Sequence, residues 1–313
     1  MKEDRFDHYH IHFHGSKFDG MITGEEAAKD IEKYEKNIYA ITDHGTLNSV
    51  LELHGICKKK KIKFAPGSEM YVVENKEEKN DGPRKRKFDK KRHVVLISQN
   101  QKGFDNLIYL GSLASMYFFG KPRIDHNDIF EKNEGLICTT ACMGGIVASP
   151  YLWDEDSTEL EREKNAEEIA LRYKEAFGDR FFLEIQPVDK PEQLKLNRFL
   201  MKIGKKNKIN IIATNDCHYA EPDHYKYHAR LISLQNAGRK SESESELFYK
   251  QGHHLRSYSE MFEAFVKNGT TSDDCQNEVI DALETANNLH ERIEGVKIER
   301  TLKIPKYREN EDG

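Results

Sequence analysis

The sequence predicts an α/β protein built around a barrel of parallel β-strands. Short apolar runs rich in Val, Ile and Phe alternate along the 313 residues with longer charged, amphipathic stretches. Strands that are each followed by a helix form a parallel sheet, because a parallel neighbour is reached only through a crossover connection. About seven strands within roughly 270 residues favour a closed barrel over an open sheet.

Seven segments are predicted as strands because they are short, apolar and bounded by turn residues. The first alternates imidazole and apolar side chains, and the later ones are short apolar runs. In chain order they cover residues 6–12, 38–42, 64–73, 93–98, 135–140, 180–185 and 210–214.

The segments between the strands are predicted as helices. Thr23 followed by Glu26 is typical of a capping box, so the first helix begins there and runs to about Lys36. The second helix, over residues 47–60, ends in a lysine run that suits the negative end of a helix dipole. Further long helices are predicted at residues 101–117, 158–176, 192–207 and 277–291.

The composition excludes several classes of protein. Charged residues make up 33% of the chain and the formal net charge is −5, so contact with nucleic acid must depend on local patches or metals. No apolar run is long enough to span a bilayer, and the first residues lack the apolar core of a signal peptide. Five cysteines, an odd number, do not form a disulfide framework. These features predict a protein of the reducing cytoplasm without a membrane partner.

Histidines dominate the first predicted strand. Side chains one residue apart on a strand point to opposite faces, so His8, His10 and His12 are expected to share one face. Two imidazoles at i and i+2 can bind one ion and are a common start for a first-row metal site. A polar strand without metal is the more common interpretation of such a pair, so the metal hypothesis depends on ligands elsewhere in the chain.

Further residues of ligand type follow the later strands. In parallel barrels, the loops at the carboxyl ends of the strands open on one face and build the active site. Each candidate also has a structural interpretation, such as a helix cap for Asp43 or Asp216 and a small buried residue for Cys142. His93 precedes its strand, so its participation requires a distorted barrel or a strand of different direction. Their joint occurrence favours a metal site formed by His10, His12, Asp43, His44, Glu69, Cys142, Asp216 and His218.

These segments together resemble the PHP (polymerase and histidinol phosphatase) domain at the amino terminus of the bacterial DNA polymerase III α subunit, the C-family replicase. The resemblance extends over about residues 5–300 and keeps the family's order of motifs. It is carried by His10-Ile11-His12 with Asp19-Gly20, and by residues 42–45, 67–72, 93–96, 121–125, 142–145, 178–184 and 213–219.

The resemblance implies a distorted (β/α)7 barrel of the PHP type, with a cluster of three divalent metal ions at the carboxyl ends of the strands. Asp43 is expected to orient a ligand rather than to bind metal. The mixed donor set suits Zn²⁺, Mn²⁺ or Fe²⁺ better than Mg²⁺. The family pattern places one ion on His10, His12, Glu69 and Asp216, a second on Glu69, His93 and Cys142, and a third on Asp19, His44 and His218.

The chain departs from the family pattern near the opening histidines. Relatives commonly carry Thr after this pair, where the chain has Phe13 followed by His14. His8 and His14 are extra imidazoles that are expected to be surface residues flanking the site. The basic segment 84–92 is unusually dense and is predicted as a surface loop.

The resemblance also implies a function, which is metal-dependent hydrolysis of phosphoesters in DNA by a 3′→5′ exonuclease that proofreads or trims ends during replication. Catalysis is expected to depend on His10, His12, Glu69 and Asp216. The expected partners are single-stranded 3′ ends of DNA, the polymerase palm domain and other replisome subunits. The basic residues predicted to contact DNA are Arg84, Lys85, Arg86, Lys87, Arg123 and Arg180.

Two other functions compete with this one. In a purely structural module of a replicase, some of the metal-ligand residues of the family pattern would be replaced. Here every ligand position is filled by a residue that can bind metal. A small-molecule phosphatase resembling histidinol-phosphate phosphatase is disfavoured by the replicase-type segments 121–125 and 178–184.

Two domains are predicted along the chain. The catalytic barrel is assigned to residues 1–270, and residues 271–313 are assigned to a helical extension and linker that in the family leads to the polymerase palm. The palm aspartates lie beyond that point in the family. This chain alone is therefore not expected to polymerise DNA.

Overall fold

A curled, seven-stranded sheet lies at the centre of an α/β fold. The computed structural model describes residues 4–78, 91–235, 251–271 and 275–299. The strands follow the order β1-β2-β3-β5-β6-β7, and β4 pairs with the carboxyl-terminal part of β2. They are β1 (Ile38–Ile41), β2 (Lys63–Val73), β3 (Arg92–Ser98), β4 (Arg123–Asp125), β5 (Leu136–Thr139), β6 (Phe181–Ile185) and β7 (Asn210–Ala213).

The opening segment joins the two edges of this sheet, β1 and β7. The backbone N–H of Thr42, just after β1, donates to the carbonyl of Ile11 at 2.9 Å. On the other side, the N–H of Cys217 donates to the carbonyl of His10 at 3.0 Å. A bridge between Ile11 and Cys217 on one side and a hydrogen bond on the other thus link the two edges of the curled sheet, which confirms the predicted barrel in its distorted form.

The prediction of a strand over residues 6–12 is wrong. The backbone bends at residues 9 and 10, and only isolated bridges at Ile11 and Phe13 pair this segment with others. The N–H of Ile11 donates to the side-chain oxygen of Thr42 at 2.8 Å. A hydroxyl therefore accepts the hydrogen bond that the backbone carbonyl of a neighbouring strand would accept in a regular sheet. The count of seven strands is instead completed by β4, which was not predicted.

β3 is the one named strand that runs against its neighbours. It pairs antiparallel with both β2 and β5, whereas the other named strand pairs are parallel. The amino end of β3 therefore lies at the same face of the barrel as the carboxyl ends of the other strands. This explains how His93, near the start of its strand, can face the residues that follow the other strands.

Helices cover the outside of the sheet. Thr23 and Glu26 form the predicted capping box at the start of α1. α2 begins at Val50, later than predicted, because residues 43–49 form a turn that carries Asp43 and His44 past the end of β1. The helices are α1 (Gly24–Tyr34), α2 (Val50–Lys60), α3 (Gln101–Met116), α4 (His126–Glu131), α5 (Ala148–Trp153), α6 (Glu159–Phe177), α7 (Pro191–Asn207), α8 (Tyr225–Gln235), α9 (Tyr258–Lys267) and α10 (Gln276–Asn288). Within the described ranges, no helix combines the length and apolarity needed to cross a bilayer.

The main hydrophobic core lies between the sheet and these helices. Leu96 and Leu183 are fully buried in it, and each such side chain stabilises the fold by about 1.5–3 kcal/mol. Val279 and Leu283 of α10 belong to the same core cluster. The domain boundary predicted at residue 270 therefore does not separate two hydrophobic cores.

Candidate metal centre

Histidines and carboxylates converge at the end of the barrel where the parallel strands finish. His10 and His12 reach this face from the opening segment. Glu69 reaches it from β2, which continues beyond β1, and its N–H lies 3.2 Å from the carbonyl of Thr42. Asp216 follows β7 and adopts a φ of 49°, a left-handed conformation that Asp tolerates better than most residues. Side chains far apart in sequence thus meet at one mouth, as predicted.

Four side-chain atoms form the innermost group. The Nε2 atom of His10 lies 3.4 Å from Glu69 Oε2 and 3.2 Å from Asp216 Oδ1. The Nε2 atom of His12 lies 3.3 Å and 3.2 Å from the same two oxygens. Atoms that bind one ion at about 2.0–2.2 Å are separated from each other by about 3.0–3.5 Å. The four atoms therefore have the spacing of ligands around a shared ion.

Among the described residues, the same atoms are buried without hydrogen bonds. Within the described part of the chain, the facing atoms of His10, His12, Glu69 and Asp216 are buried and make no hydrogen bond, and neither does Nδ1 of His44. A buried polar group left without a hydrogen bond costs about 1–3 kcal/mol. A divalent ion would satisfy these atoms together, and imidazole with carboxylate suits Zn²⁺, Mn²⁺ or Fe²⁺. The residues therefore fit a resident metal.

The second oxygen of Glu69 belongs to a second group. Glu69 Oε1 lies 2.9 Å from Nδ1 of His93. The Sγ atom of Cys142 lies 3.8 Å from that oxygen and 3.6 Å from the same ring nitrogen. Burial and the Glu69 carboxylate raise the pKa of Cys142 well above its ordinary value. A thiolate at this position therefore requires a neighbouring cation, which a metal ion would provide.

A third group surrounds Asp19 at the outer edge of the cluster. Asp19 Oδ2 lies 2.9 Å from Nε2 of His44 and 3.4 Å from Nε2 of His218. His44 also connects this group to the first, since its Nδ1 lies 2.8 Å from Glu69 Oε2. The structure thus brings all nine predicted ligand residues together in the three sets that the resemblance implied. Their binding of metal stays a prediction.

Protons balance the charges of this cluster. Burial lowers the pKa of His44, but the carboxylates of Glu69 and Asp19 outweigh it and raise the pKa to about 10. Burial likewise lowers the pKa of His218, and Asp19 and Asp216 raise it to about 9. For Glu69 the nearby imidazoles outweigh burial and hold its pKa well below the usual range. At neutral pH, protonated imidazoles therefore face ionised carboxylates, and these protons would have to leave for a divalent ion to bind.

Two carboxylates outside the ligand sets orient the opening histidines. Glu184, fully buried in β6, accepts a hydrogen bond from Nδ1 of His10 at 2.6 Å, which leaves Nε2 to face the cluster. Asp43 accepts a hydrogen bond at 3.2 Å from Ser16, whose hydroxyl lies 3.1 Å from Nδ1 of His12. The orienting role was predicted for Asp43 but not for Glu184. The sequence feature that could have identified Glu184 is its place as an acidic residue inside an otherwise apolar strand.

Replacing Glu184 with glutamine should weaken metal binding at the innermost group by about 10–100-fold, because partners that orient ligating histidines contribute on that scale. Titration of Zn²⁺ against a chromophoric chelator measures this affinity. Glu163→Gln is the matched control, since Glu163 pairs with Lys202 on the helical surface at 2.8 Å. Equal zinc affinities of Glu184→Gln and the wild-type chain would contradict the orienting role.

Two histidines near the cluster were not predicted from the sequence. Nε2 of His228, in α8, lies 3.5 Å from Asp19 Oδ1. Nδ1 of His253 donates a hydrogen bond to the backbone carbonyl of Asp216 at 3.0 Å. Neither residue follows a named strand, so position along the chain gave no signal for them.

The two extra imidazoles of the opening segment lie in different environments. His14 is exposed, as predicted, and its Nε2 lies 2.8 Å from the carboxylate of Glu52. The prediction that His8 lies at the surface is wrong, because this residue is only 3% exposed. Its Nε2 lies 2.9 Å from the carbonyl of Arg256, so His8 packs behind the cluster rather than beside it at the surface.

The structure contradicts two predicted DNA contacts. Arg123 is fully buried, and its guanidinium donates to the backbone carbonyls of Tyr117 and Lys76, so it holds a loop in place. Arg180 precedes β6, at the end of that strand opposite to the cluster, and donates to the carbonyl of Asn133 at 2.6 Å. The other basic candidates, Arg84, Lys85, Arg86 and Lys87, lie outside the described residues.

Comparison with known proteins agrees with this geometry. The PHP domain family matches residues 8–188, which include the ligand residues from His10 to Cys142. The chain therefore belongs to the PHP domain family.

Among its curated relatives are bacterial DNA polymerase III alpha subunits. The chain is 34% identical over 241 residues to the DNA polymerase III subunit alpha of Aquifex aeolicus, covering 75% of this chain and 20% of the relative. It is 28% identical over 297 residues to the same subunit of Borreliella burgdorferi, covering 94% of this chain and 24% of the relative. The chain thus spans about a fifth to a quarter of the length of these relatives.

Among solved structures, a protein assigned as a metal-dependent phosphoesterase from Bifidobacterium adolescentis matches with a TM-score of 0.42 and 13% identity. That match covers 68% of this chain and 88% of the other.

Proposed function

We propose that the chain is a metal-dependent phosphoesterase that removes nucleotides from the 3′ end of single-stranded DNA, in proofreading or end-trimming during replication. The observation that carries the proposal is the convergence of His10, His12, Glu69 and Asp216, whose facing atoms are buried without hydrogen bonds. Clustered cations stabilise the charge that develops on a phosphoester during its hydrolysis. The relatives named DNA polymerase III subunit alpha support DNA as the substrate.

The proposal assigns three divalent ions, Zn²⁺, Mn²⁺ or Fe²⁺, to the three ligand groups. When bound, such ions supply Lewis acidity at phosphorus and lower the pKa of a coordinated water. The chain itself holds the ligands in place, because Glu184 and Ser16 orient His10 and His12. Glu69 presents one oxygen to each of two groups and so fixes their separation. This rigidity matters, since a displacement of about 1 Å can cost roughly 100-fold in rate.

A basic side chain lies beside the cluster. The Nζ atom of Lys121 is 5.2 Å from the ring centroid of Tyr71, a distance typical of a cation–π contact. The Tyr71 ring in turn stacks on His44 and meets His93 edge-on, with centroids 5.6 Å and 5.1 Å apart. In our proposal Lys121 binds a phosphate oxygen of the substrate, in the role that the buried Arg123 cannot fill.

Replacing Lys121 with alanine is expected to raise KM for single-stranded DNA by about 10-fold or more, since a hydrogen bond to a charged group contributes about 1.5–3 kcal/mol. Metal content should not change. Lys132→Ala is the matched control, because Lys132 makes a similar contact with Tyr109 on a helix, at 4.7 Å. Steady-state kinetics that gave both variants the wild-type KM would contradict the role of Lys121.

The proposed activity is tested with single-stranded DNA labelled at one end, incubated with chain loaded with Mn²⁺ or Zn²⁺. A 3′ label should appear at once as mononucleotide, whereas a 5′ label should remain on a ladder of shortening strands. A simple phosphomonoester, p-nitrophenyl phosphate, should be hydrolysed more slowly than DNA. Early release of the 5′ label would reverse the proposed polarity. No hydrolysis by the fully metallated chain would contradict the proposal and favour a structural role.

A further inference from the structure

His228 lies against the outer edge of the metal cluster, on α8. Its side chain is almost fully buried, with 4% of the residue exposed. The ring centroid lies 5.0 Å from that of His218. His228 belongs to none of the ligand sets implied by the family pattern, and it comes from a helix rather than from the end of a strand.

The carboxylate of Asp19 connects His228 to the cluster. Oδ2 of Asp19 faces His44 and His218, at 2.9 Å and 3.4 Å. Oδ1 of the same carboxylate faces Nε2 of His228 at 3.5 Å. The two oxygens thus contact imidazoles from three different parts of the chain, which are the turn after β1, the segment after β7 and α8.

The spacing of these atoms is that of ligands around an ion. One ligand atom each from Asp19, His218 and His228 can be chosen so that all lie within 4.8 Å of one another. A separation of 3.5 Å is long for a hydrogen bond between nitrogen and oxygen. It agrees with the separation of about 3.0–3.5 Å between two ligands that bind one ion at about 2.0–2.2 Å.

We propose that His228 is a ligand of the outer ion, together with Asp19, His44 and His218. This inference rests on the proposed metal centre, but not on hydrolysis of DNA. These side chains come from different parts of the chain. The outer ion would therefore fix α8 to the mouth of the barrel.

The experiment measures metal directly, without substrate. Wild-type chain, His228→Ala and His228→Cys are saturated with Zn²⁺, passed through a desalting column and analysed for zinc per chain. His228→Ala is expected to carry one ion fewer, or to bind its weakest ion at least 10-fold more weakly. His228→Cys replaces one ligand by another and should keep the full complement. Circular dichroism of each variant shows that the fold is retained.

The absorption spectrum of the Co²⁺-loaded chain provides a second measurement. This spectrum would not change if His228 only packed against the cluster without binding the ion. In the Co²⁺-loaded chain, His228→Cys should add thiolate-to-metal charge-transfer absorption in the near ultraviolet, above the level contributed by Cys142. His224→Ala is the matched control, since His224 lies just before α8 and its Nδ1 is 3.6 Å from Glu26. It should have the zinc content and cobalt spectrum of the wild-type chain.

The proposal is overturned if His228→Ala binds zinc with wild-type stoichiometry and affinity and His228→Cys adds no charge-transfer absorption. Failure of the proposed function gives a different result. In that case the wild-type chain and the variants differ in zinc content as expected, but none of them hydrolyses DNA. Absence of bound zinc in every chain, wild type included, would overturn both the metal centre and the role of His228.

Discussion

A variant with both His10 and His12 replaced by alanine is expected to lose at least about 100-fold in phosphoesterase activity, and to lose one bound ion. The two imidazoles supply half of the innermost group, and their removal leaves only the oxygens of Glu69 and Asp216 to hold the ion there. Even partners that only orient metal ligands contribute about 10–100-fold. Loss of two ligands should therefore exceed that range. Initial rates on 3′-labelled DNA and elemental analysis measure the two effects.

The control for this variant lies two residues further along the chain. His14→Ala removes a histidine from the same segment, but that histidine is exposed and contacts Glu52. It should retain wild-type activity and metal content. Wild-type rates in the double variant would show that hydrolysis does not depend on the cluster.

Removal of the metals with a chelator is expected to lower Tm by several degrees. An ion present at about 100 times its Kd stabilises the native state by about 2.7 kcal/mol. In a chain of this size each kcal/mol corresponds to roughly 1.5 °C. Differential scanning calorimetry with and without chelator measures the shift, and return of Tm on adding Zn²⁺ is the control. A Tm that did not change on chelation would contradict a resident metal.

The size of this shift should depend on pH. Without metal, the contacts of protonated His44 and His218 with carboxylates contribute stability that is fully present below the ordinary histidine pKa of about 6.5. That stability is lost as pH rises through about 9 for His218 and about 10 for His44. The metal-bound cluster does not need these protons. The difference in Tm between loaded and chelated chain should therefore be larger at about pH 9 than at about pH 7, and equal differences would contradict this account.

Much of the site could be predicted because its residues follow strands. His44, Cys142, Asp216 and His218 come just after apolar runs, and a barrel gathers such positions at one face. His93 could be placed only conditionally, since the direction of β3 depends on long-range pairing with β2 and β5. Strand direction is decided by contacts that local sequence patterns do not contain.

The features that the sequence did not predict depend on tertiary packing. The alternation in residues 6–12 predicted a strand, but a hydrogen bond from the backbone N–H of Ile11 to the hydroxyl of Thr42 replaces ladder pairing there. Arg123 was predicted to contact DNA, yet it is buried and its guanidinium donates to backbone carbonyls. His228 and Glu184 contact Asp19 and His10, which are distant from them in sequence. No local pattern distinguishes such residues from ordinary helix and strand positions.

The central claim, that the nine converging side chains hold metal, is tested most directly by anomalous scattering from crystals of the chain, combined with elemental analysis. The protein should be purified without a histidine tag or chelating resin, because either could add or remove metal. Our account predicts three ions per chain, one in each ligand group around Glu69 and Asp19, with zinc, manganese or iron as their identity. A well-folded chain that bound no divalent ion, even after incubation with these metals, would contradict it.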